Sequence, residues 1–283
     1  MKWLFGQSNG KLNIEWQYET SGILWRLVPA GENFFVGEDR NVESKKTTFF
    51  CIDQLTGTVR WKDVGFGEDW WISIEAIRND VVFIHEYANP GMPDHKKIHA
   101  LSLKNGALLW TNDLLRFEFV SGMSVIASTE TYERRVFYEL DLMTGKEVSE
   151  LDPSQVFVLQ ELNSSSLSAE VILPEIFNDE ENQDAELRKN IQHACSSGSN
   201  VLTEYIRRPD YLIVGYYMST SANTAEQNLE QHIIIVNDGT TIFKDMMSEH
   251  GRIPVPDLFF SNKNYLYYVK NNKTLTVVRL SSL

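Results

Sequence analysis

The sequence predicts an all-β fold of the β-propeller type on three observations: a recurring strand–turn–strand unit, regular spacing of its turn glycines, and complementary strand-like segments at the two ends. The unit reads as a β-branched or aromatic strand, an Asx/Thr-Gly turn, and a short strand ending in an aromatic residue. A partial copy, SNGKLNIEW, spans Ser8 to Trp16. Fuller copies are TTFFCIDQLTGTVRW (Thr47 to Trp61), KIHALSLKNGALLW (Lys97 to Trp110), RVFYELDLMTGKEV (Arg135 to Val148) and HIIIVNDGTTIF (His232 to Phe243). Reversing the chain between antiparallel strands needs a residue at positive φ, which Gly adopts without steric cost. Asn9, Asn105 and Asp238, each just before a Gly, suit the same turn. Alternation in FFCID and VFYEL puts every second side chain on one face. The aromatic four residues after the Gly (Trp61, Trp110, Phe243) gives each unit an apolar surface to press on its neighbour.

Spacing decides the architecture. Gly10, Gly57, Gly106, Gly145 and Gly239 are separated by 47, 49, 39 and 94 residues, the last gap being twice 47. Periods of about 40 to 50 residues with several strands per unit mark propeller blades. Hairpins scattered in a β-sandwich are the alternative, and an aromatic kept in register argues against it. The expected four-stranded antiparallel blades cover 22–63, 70–113, 116–150, 155–200, 201–245, and 256–283 with 1–18, all in one domain, 1–283. The last joins DLFF, YLYYVK and TLTVVRL to the N-terminal strand KLNIEWQYE, which closes the fold and leaves no open sheet edge. In the fourth, VFVLQEL and SLSAEVIL read as strands, whereas DEENQDAELRKNIQHAC reads as a helix with Leu187, Ile191 and Cys195 on one face. Six blades are expected; five plus a helical insertion is the alternative.

Composition narrows the function classes. Apolar residues at 42% and charged residues at 23% exclude wholesale disorder. Aromatics at 12% favour strands. A net charge of −13 disfavours nucleic acid and anionic membranes, both of which attract basic surfaces. Cys51 and Cys195 belong to no CxxC spacing and are expected as two buried reduced thiols, a single disulfide being the alternative. No signal-peptide core fits MKWLFGQSNGK and no run of 18 apolar residues occurs, so a cytoplasmic location is expected.

The segments LTGTVRW and KNGALLW resemble the repeat of pyrroloquinoline-quinone-type propellers, which include quinoprotein dehydrogenases and an outer-membrane assembly lipoprotein. EDWWISIEAIRNDVVFIHEYANPGMPDHKKIHALSLKNGALLW and PVPDLFFSNKNYLYYVKNNKTLTVVRL are similar to a small bacterial propeller family of unknown function. The resemblance implies a propeller and no activity. A quinoprotein dehydrogenase is longer and stacks its quinone on a vicinal disulfide, and Cys51 and Cys195 are not adjacent. The assembly lipoprotein carries a lipobox, absent here. Only the repeat carries over, and no cofactor is expected.

Topology points to one functional face. In a four-stranded meander the turns at PAGEN (29–33), RND (78–80) and the glycines emerge on one side. On the other emerge EDRNVESKK (38–46), VGFGED (64–69), YANPGMPDHKK (87–97), MSTSANTAEQNLEQ (218–231) and MMSEHGRIPVP (246–256). Long loops on a rigid scaffold are where binding residues concentrate. Within the second blade, Trp70, Trp71, Glu75, His85, Glu86, Tyr87, Asp94 and His95 form the candidate ligand-binding set, an aromatic surface with carboxylates and imidazoles. His85, Asp94, His95 and His99 are the candidate metal ligands, but HKKIH lies in a strand pattern and has no Glu-x-x-His companion, so no metal is expected. No GxSxG, P-loop or GxGxxG occurs, and Cys195 near His193 sits in the expected helix without an orienting partner, so no catalytic residue is assigned. The expected function is a non-catalytic scaffold whose loop-rich face binds a protein or small-molecule ligand. The alternative is a hydrolase or lyase using the carboxylate and His groups of the second blade, possible with metal assistance.

Overall fold

A computed structural model of the chain describes residues 12–89, 91–130, 132, 134–164, 171–180, 184–195, 200–219, 228–251 and 253–280. The expected turn at Gly10, most of the expected strand 166–173 and the centre of the loop 218–231 lie outside these residues. Contacts group the chain into two units, residues 20–168 and residues 1–19 with 169–283. The first described strand, β1 (Ile14–Glu19), belongs to the latter.

Residues 20–168 hold three consecutive antiparallel meanders of propeller-blade type. The first blade is β2 (Ile23–Ala30), β3 (Phe34–Asn41), β4 (Lys46–Asp53) and β5 (Val59–Val64). The second is β6 (Ile72–Arg78), β7 (Val81–Tyr87), β8 (His95–Ser102) and β9 (Leu108–Asn112). The third is β10 (Arg116–Ser121), β11 (Ser124–Glu130), β12 (Arg135–Asp141) and β13 (Glu147–Leu151). Every blade follows chain order, so the strand–turn pattern of the sequence carries straight into topology.

The repeat's glycine and tryptophan meet across blades. The Trp61 indole Nε1 donates to the carbonyl of Leu103 at 2.9 Å, and that of Trp110 donates to Leu142 at 2.9 Å. Beneath the rings lie Gly106 and Gly145, with φ of +71° and +66°. A Cβ on Gly106 would stand 2.9 Å from the Trp61 ring, and one on Gly145 only 2.5 Å from Trp110. These glycines therefore serve both the turn and the close approach of the preceding blade. Alternating faces complete the packing: Val82 and Ile84 of β7 join a core with Phe49, Cys51 and Trp61 of the first blade, whereas Val81 and Phe83 join Phe117, Val125 and Leu140 of the third.

Residues 153–200 do not form a separate sheet among the described residues. The expected strand VFVLQEL is instead α1 (Pro153–Ser164). Pro at the first helical position lacks the N–H that would go unbonded there, and Gln155 Oε1 reaches back to accept from the Asp152 N–H at 2.9 Å. After it come β14 (Val171–Ile172), β15 (Glu175–Ile176) and α2 (Ala185–Ala194). Helix α2 appears where expected, N-capped by Asp184, with Leu187, Ile191 and Cys195 buried together.

The remaining strands are β16 (Asn200–Arg207), β17 (Leu212–Ser219), β18 (Leu229–Asn237), β19 (Thr240–Gly251), β20 (Phe259–Asn262), β21 (Tyr265–Lys270) and β22 (Thr274–Arg279). One sheet runs β15-β16-β17-β18-β19 and the other β1-β22-β21-β20-β14. The N-terminal strand thus completes the C-terminal blade, with Trp16 opposite Val277 and Tyr18 opposite Leu275. Five sheets are described in all. Both cysteines are buried with no disulfide between them, and burial pushes the Cys51 thiol up to about 12. Among the described residues no helix is long and apolar enough to cross a membrane.

Two expected loops are largely strand. EDRN at 38–41 ends β3, with Glu38, Asp39 and Arg40 buried, and MMSEHG at 246–251 ends the twelve-residue β19. In the first case a buried ion pair gives a strand the polar composition of a loop. In the second, β19 pairs with β18 through repeated register shifts that mask its period.

Candidate functional site

One end of the second blade gathers the candidate residues. The Tyr87 N–H donates to the Trp71 carbonyl at 2.8 Å, and Tyr87 pairs with His95, so the start of β6, the end of β7 and the start of β8 are adjacent. Two bulges then aim the side chains. On β6, Ile74 and Ala76 pair with the consecutive residues Ile84 and Phe83, leaving Glu75 as the extra residue. On β8, Ile84 pairs with His99 but Glu86 with Lys96, and Lys97 takes φ +57°. A bulge re-aims the side chains beside it, and bulges are over-represented next to functional sites.

As a result, His95 and His99, four apart, serve different neighbours. His95 stacks on His85, ring centroids 3.5 Å apart and planes 9° apart, with Tyr87 edge-on to both rings. Nδ1 of His85 lies 2.6 Å from Glu75 Oε2, and Nδ1 of His95 lies 2.7 Å from the same oxygen. Neither approach is aligned as a hydrogen bond: Glu75 Oε2 and both ring nitrogens of His85 have no hydrogen-bond partner. His85 is 2% exposed, against side-chain exposures of 19% for Glu75 and 29% for His95. Burial favours the neutral form of Glu75, but His85 and His95 outweigh it and hold its pKa below the ordinary value. Burial, then the charge of His85, pushes the His95 pKa down.

The other face of the blade is satisfied. His99 Nε2 lies 3.3 Å from Glu86 Oε1 and Nδ1 lies 3.0 Å from Thr111 Oγ1, while its ring stacks on Phe66 at 4.4 Å. Lys97 Nζ donates to Glu86 at 3.1 Å. Burial lowers the His99 pKa against the opposing pull of Glu86. Trp70 lies under Lys45 Nζ, 4.6 Å from its ring centroid, with Arg40 at 5.6 Å. The Glu68 carboxylate accepts from the Trp70 and Trp71 N–H groups at 2.9 and 2.8 Å, and these bonds hold its pKa down. Trp71, 38% exposed, packs edge-on to Tyr87.

The predicted set therefore divides. Glu75, His85 and His95 converge, Tyr87 frames them with Trp71 behind it, and Asp94 lies on the rim of a cleft of about 210 Å³. Glu86 turns to the opposite face, and Trp70 packs under cations of the first blade. Sequence reasoning missed the far wall of that cleft, which Leu114 and Leu115 supply from the connector before β10 and Arg116 and Glu130 from the third blade. No local pattern signals them, because they approach His95 only through blade packing. A larger cavity of about 530 Å³ lies beside α2, but its Arg207 is paired with Asp184 and its Arg208 with the Lys263 carbonyl.

No curated protein matches the chain. Among solved structures it is similar to BamB from Moraxella catarrhalis at 10% identity, covering 96% of this chain and 98% of that one with a TM-score of 0.29. It is also similar to an uncharacterised protein of Listeria monocytogenes EGD-e at 10% identity, 89% and 60% coverage and a TM-score of 0.34. A third likeness is to the β-propeller domain of the Trilobed protease from Pyrococcus furiosus, at 10% identity, 89% and 64% coverage and a TM-score of 0.31. Likenesses this distant carry no argument about activity, ligand or partner. Residues 28–110, from within β2 to the tryptophan of β9, match the family model described as a domain of unknown function, DUF4905.

Proposed function

We propose that the chain is a binding module whose small polar ligand seats in the cleft between the second and third blades, beside Glu75, His85 and His95. The observation that supports this reading is convergence: three titratable residues from three strands meet at one point, and one of them, His95, also lines the cleft. At about 210 Å³ the cleft is smaller than the range of about 300–1,000 Å³ typical of drug-sized ligands, which suits a small molecule rather than a polymer. Asp94 and Lys96 on one side and the Arg116–Glu130 ion pair on the other give a mixed-charge lining that favours a ligand bearing both donors and acceptors.

A thermal-shift screen of small hydroxy acids, amino acids and monosaccharides tests it. A ligand at about 100 times its Kd stabilises the folded state by about 2.7 kcal/mol. Ala88→Phe, which fills the cleft from its edge, is expected to abolish the shift of every hit. An empty screen, or hits indifferent to Ala88→Phe, would overturn the proposal.

A further inference from the structure

We infer that Glu75, His85 and His95 form a binding site for a divalent transition-metal ion of the zinc class, a site that stands independently of the ligand proposed for the cleft. Two imidazoles and one carboxylate are a donor set suited to zinc and its neighbours, and three protein ligands leave a position open for a further donor. The donor atoms lie within 4.8 Å of one another and come from adjacent strands of one sheet, a rigid mounting.

A carboxylate shared by two imidazoles as a structural hydrogen-bonded cluster is the competing account. It fails on the bonding. In such a cluster the N–H groups would point at the oxygen, yet neither short contact to Glu75 Oε2 is aligned as a hydrogen bond, and Nε2 of the almost wholly buried His85 has no partner. An ion at the shared focus satisfies Oε2 and both Nδ1 atoms together.

The donors have to spread to admit the ion. Bonds of about 2.0–2.1 Å in tetrahedral array separate ligand atoms by roughly 3.3 Å, whereas the two nitrogens now stand 2.6 and 2.7 Å from the oxygen. The parallel rings must also tilt, because a metal lies near the plane of each imidazole. His95 is placed to do this. It is the first residue of β8, partly exposed, and follows a loop containing Gly91 at φ +77°. Because it lines the cleft, it also gives the ion a route from solvent.

The test uses the full chain, stripped with chelator and dialysed, then titrated with Zn²⁺ by calorimetry and with Co²⁺ by visible absorption. One ion per chain is expected, with cobalt bands of a low-symmetry nitrogen–oxygen site. His95→Gln and Glu75→Gln are expected to weaken Zn²⁺ binding at least 100-fold, more than the roughly 10- to 100-fold typical of losing a mere outer-sphere partner. His99→Gln, in the opposite cluster, should bind as the wild type does. Should either ligand variant misfold by circular dichroism, imidazole proton shifts of the wild type on Zn²⁺ addition decide the matter, since His85 and His95 must move and His99 must not. Substoichiometric binding, or Zn²⁺ affinity unchanged in a folded His95→Gln, would overturn the assignment. Either result leaves the cleft ligand to its own screen.

Discussion

Two carboxylates lie within strands of neighbouring blades, Glu38 on β3 and Glu75 on β6, and their surroundings differ in a way that separates structure from function. Glu38, wholly buried, is fully bonded. Its Oε2 accepts from Arg40 at 2.9 and 3.2 Å, and its Oε1 accepts from the Ser73 hydroxyl at 2.5 Å and the Ile74 N–H at 2.8 Å. Arg40 in turn donates to the Ile72 carbonyl at 2.7 Å, so the pair ties the first blade to the second. Glu75 meets two histidines at 2.6 and 2.7 Å, neither aligned as a hydrogen bond. A buried polar cluster that is complete specifies packing; one left incomplete is a strain reservoir whose retention needs another reason.

The sharpest way to break the comparison is Glu38→Ala. It leaves Arg40 buried without its counter-ion, and removing one partner of such a pair costs about 3–5 kcal/mol. Urea denaturation should show that loss while Zn²⁺ binding by the folded fraction persists. His85→Leu should do the reverse. It removes the imidazole but also one of the two groups that hold the Glu75 carboxylate ionised, so the metal-free chain is expected to lose about 1 kcal/mol or less, with Zn²⁺ no longer raising its Tm. A loss as large as that of Glu38→Ala would show that the histidine is structural after all.

The smallest effect is in pH dependence. The lowered His95 pKa means that the unfolded chain takes up that proton first, so stability falls as pH drops from the unfolded value of about 6.5 through the folded one. The lowered Glu75 pKa adds a contribution present above about pH 4.3 and lost as pH falls through the folded value. Denaturation midpoints are expected to decline from pH 7 to 5 in the wild type and less steeply in His95→Gln, where His99 still contributes its share. Superimposable curves would remove His95 from this account.

What the sequence disclosed follows from how local each cause is. Gly57, Gly106, Gly145, Trp61 and Trp110 act within a few residues of one turn, so blades one to three fall close to their expected limits, and β1 pairs with β22 as its strand pattern requires. VFVLQEL, a short apolar run, fits a buried strand or a helix; the Asp152-Pro153 start with Gln155 decides for the helix. Glu38 and Arg40 read as loop in the sequence because the Ser73 and Ile74 groups that bond Glu38 lie 35 and 36 residues away. Which of the eight candidate residues meet depends on the bulges at Glu75 and Lys97, and a one-residue slip of register leaves no mark in composition.

The indole-over-glycine joint gives the row of blades a direction. Each such joint has a tryptophan on its leading side and a glycine turn on its trailing side, and the second blade carries both, Trp110 and Gly106. The third carries Gly145 but has Ser149 where the indole would stand, and that hydroxyl is already committed to Glu139 at 3.0 Å. A tandem duplicate of the second blade spliced between it and the third would find a matching mate on either side. Placed after the third it would find none, so this stretch could lengthen by internal gene duplication but not by growth from its far end.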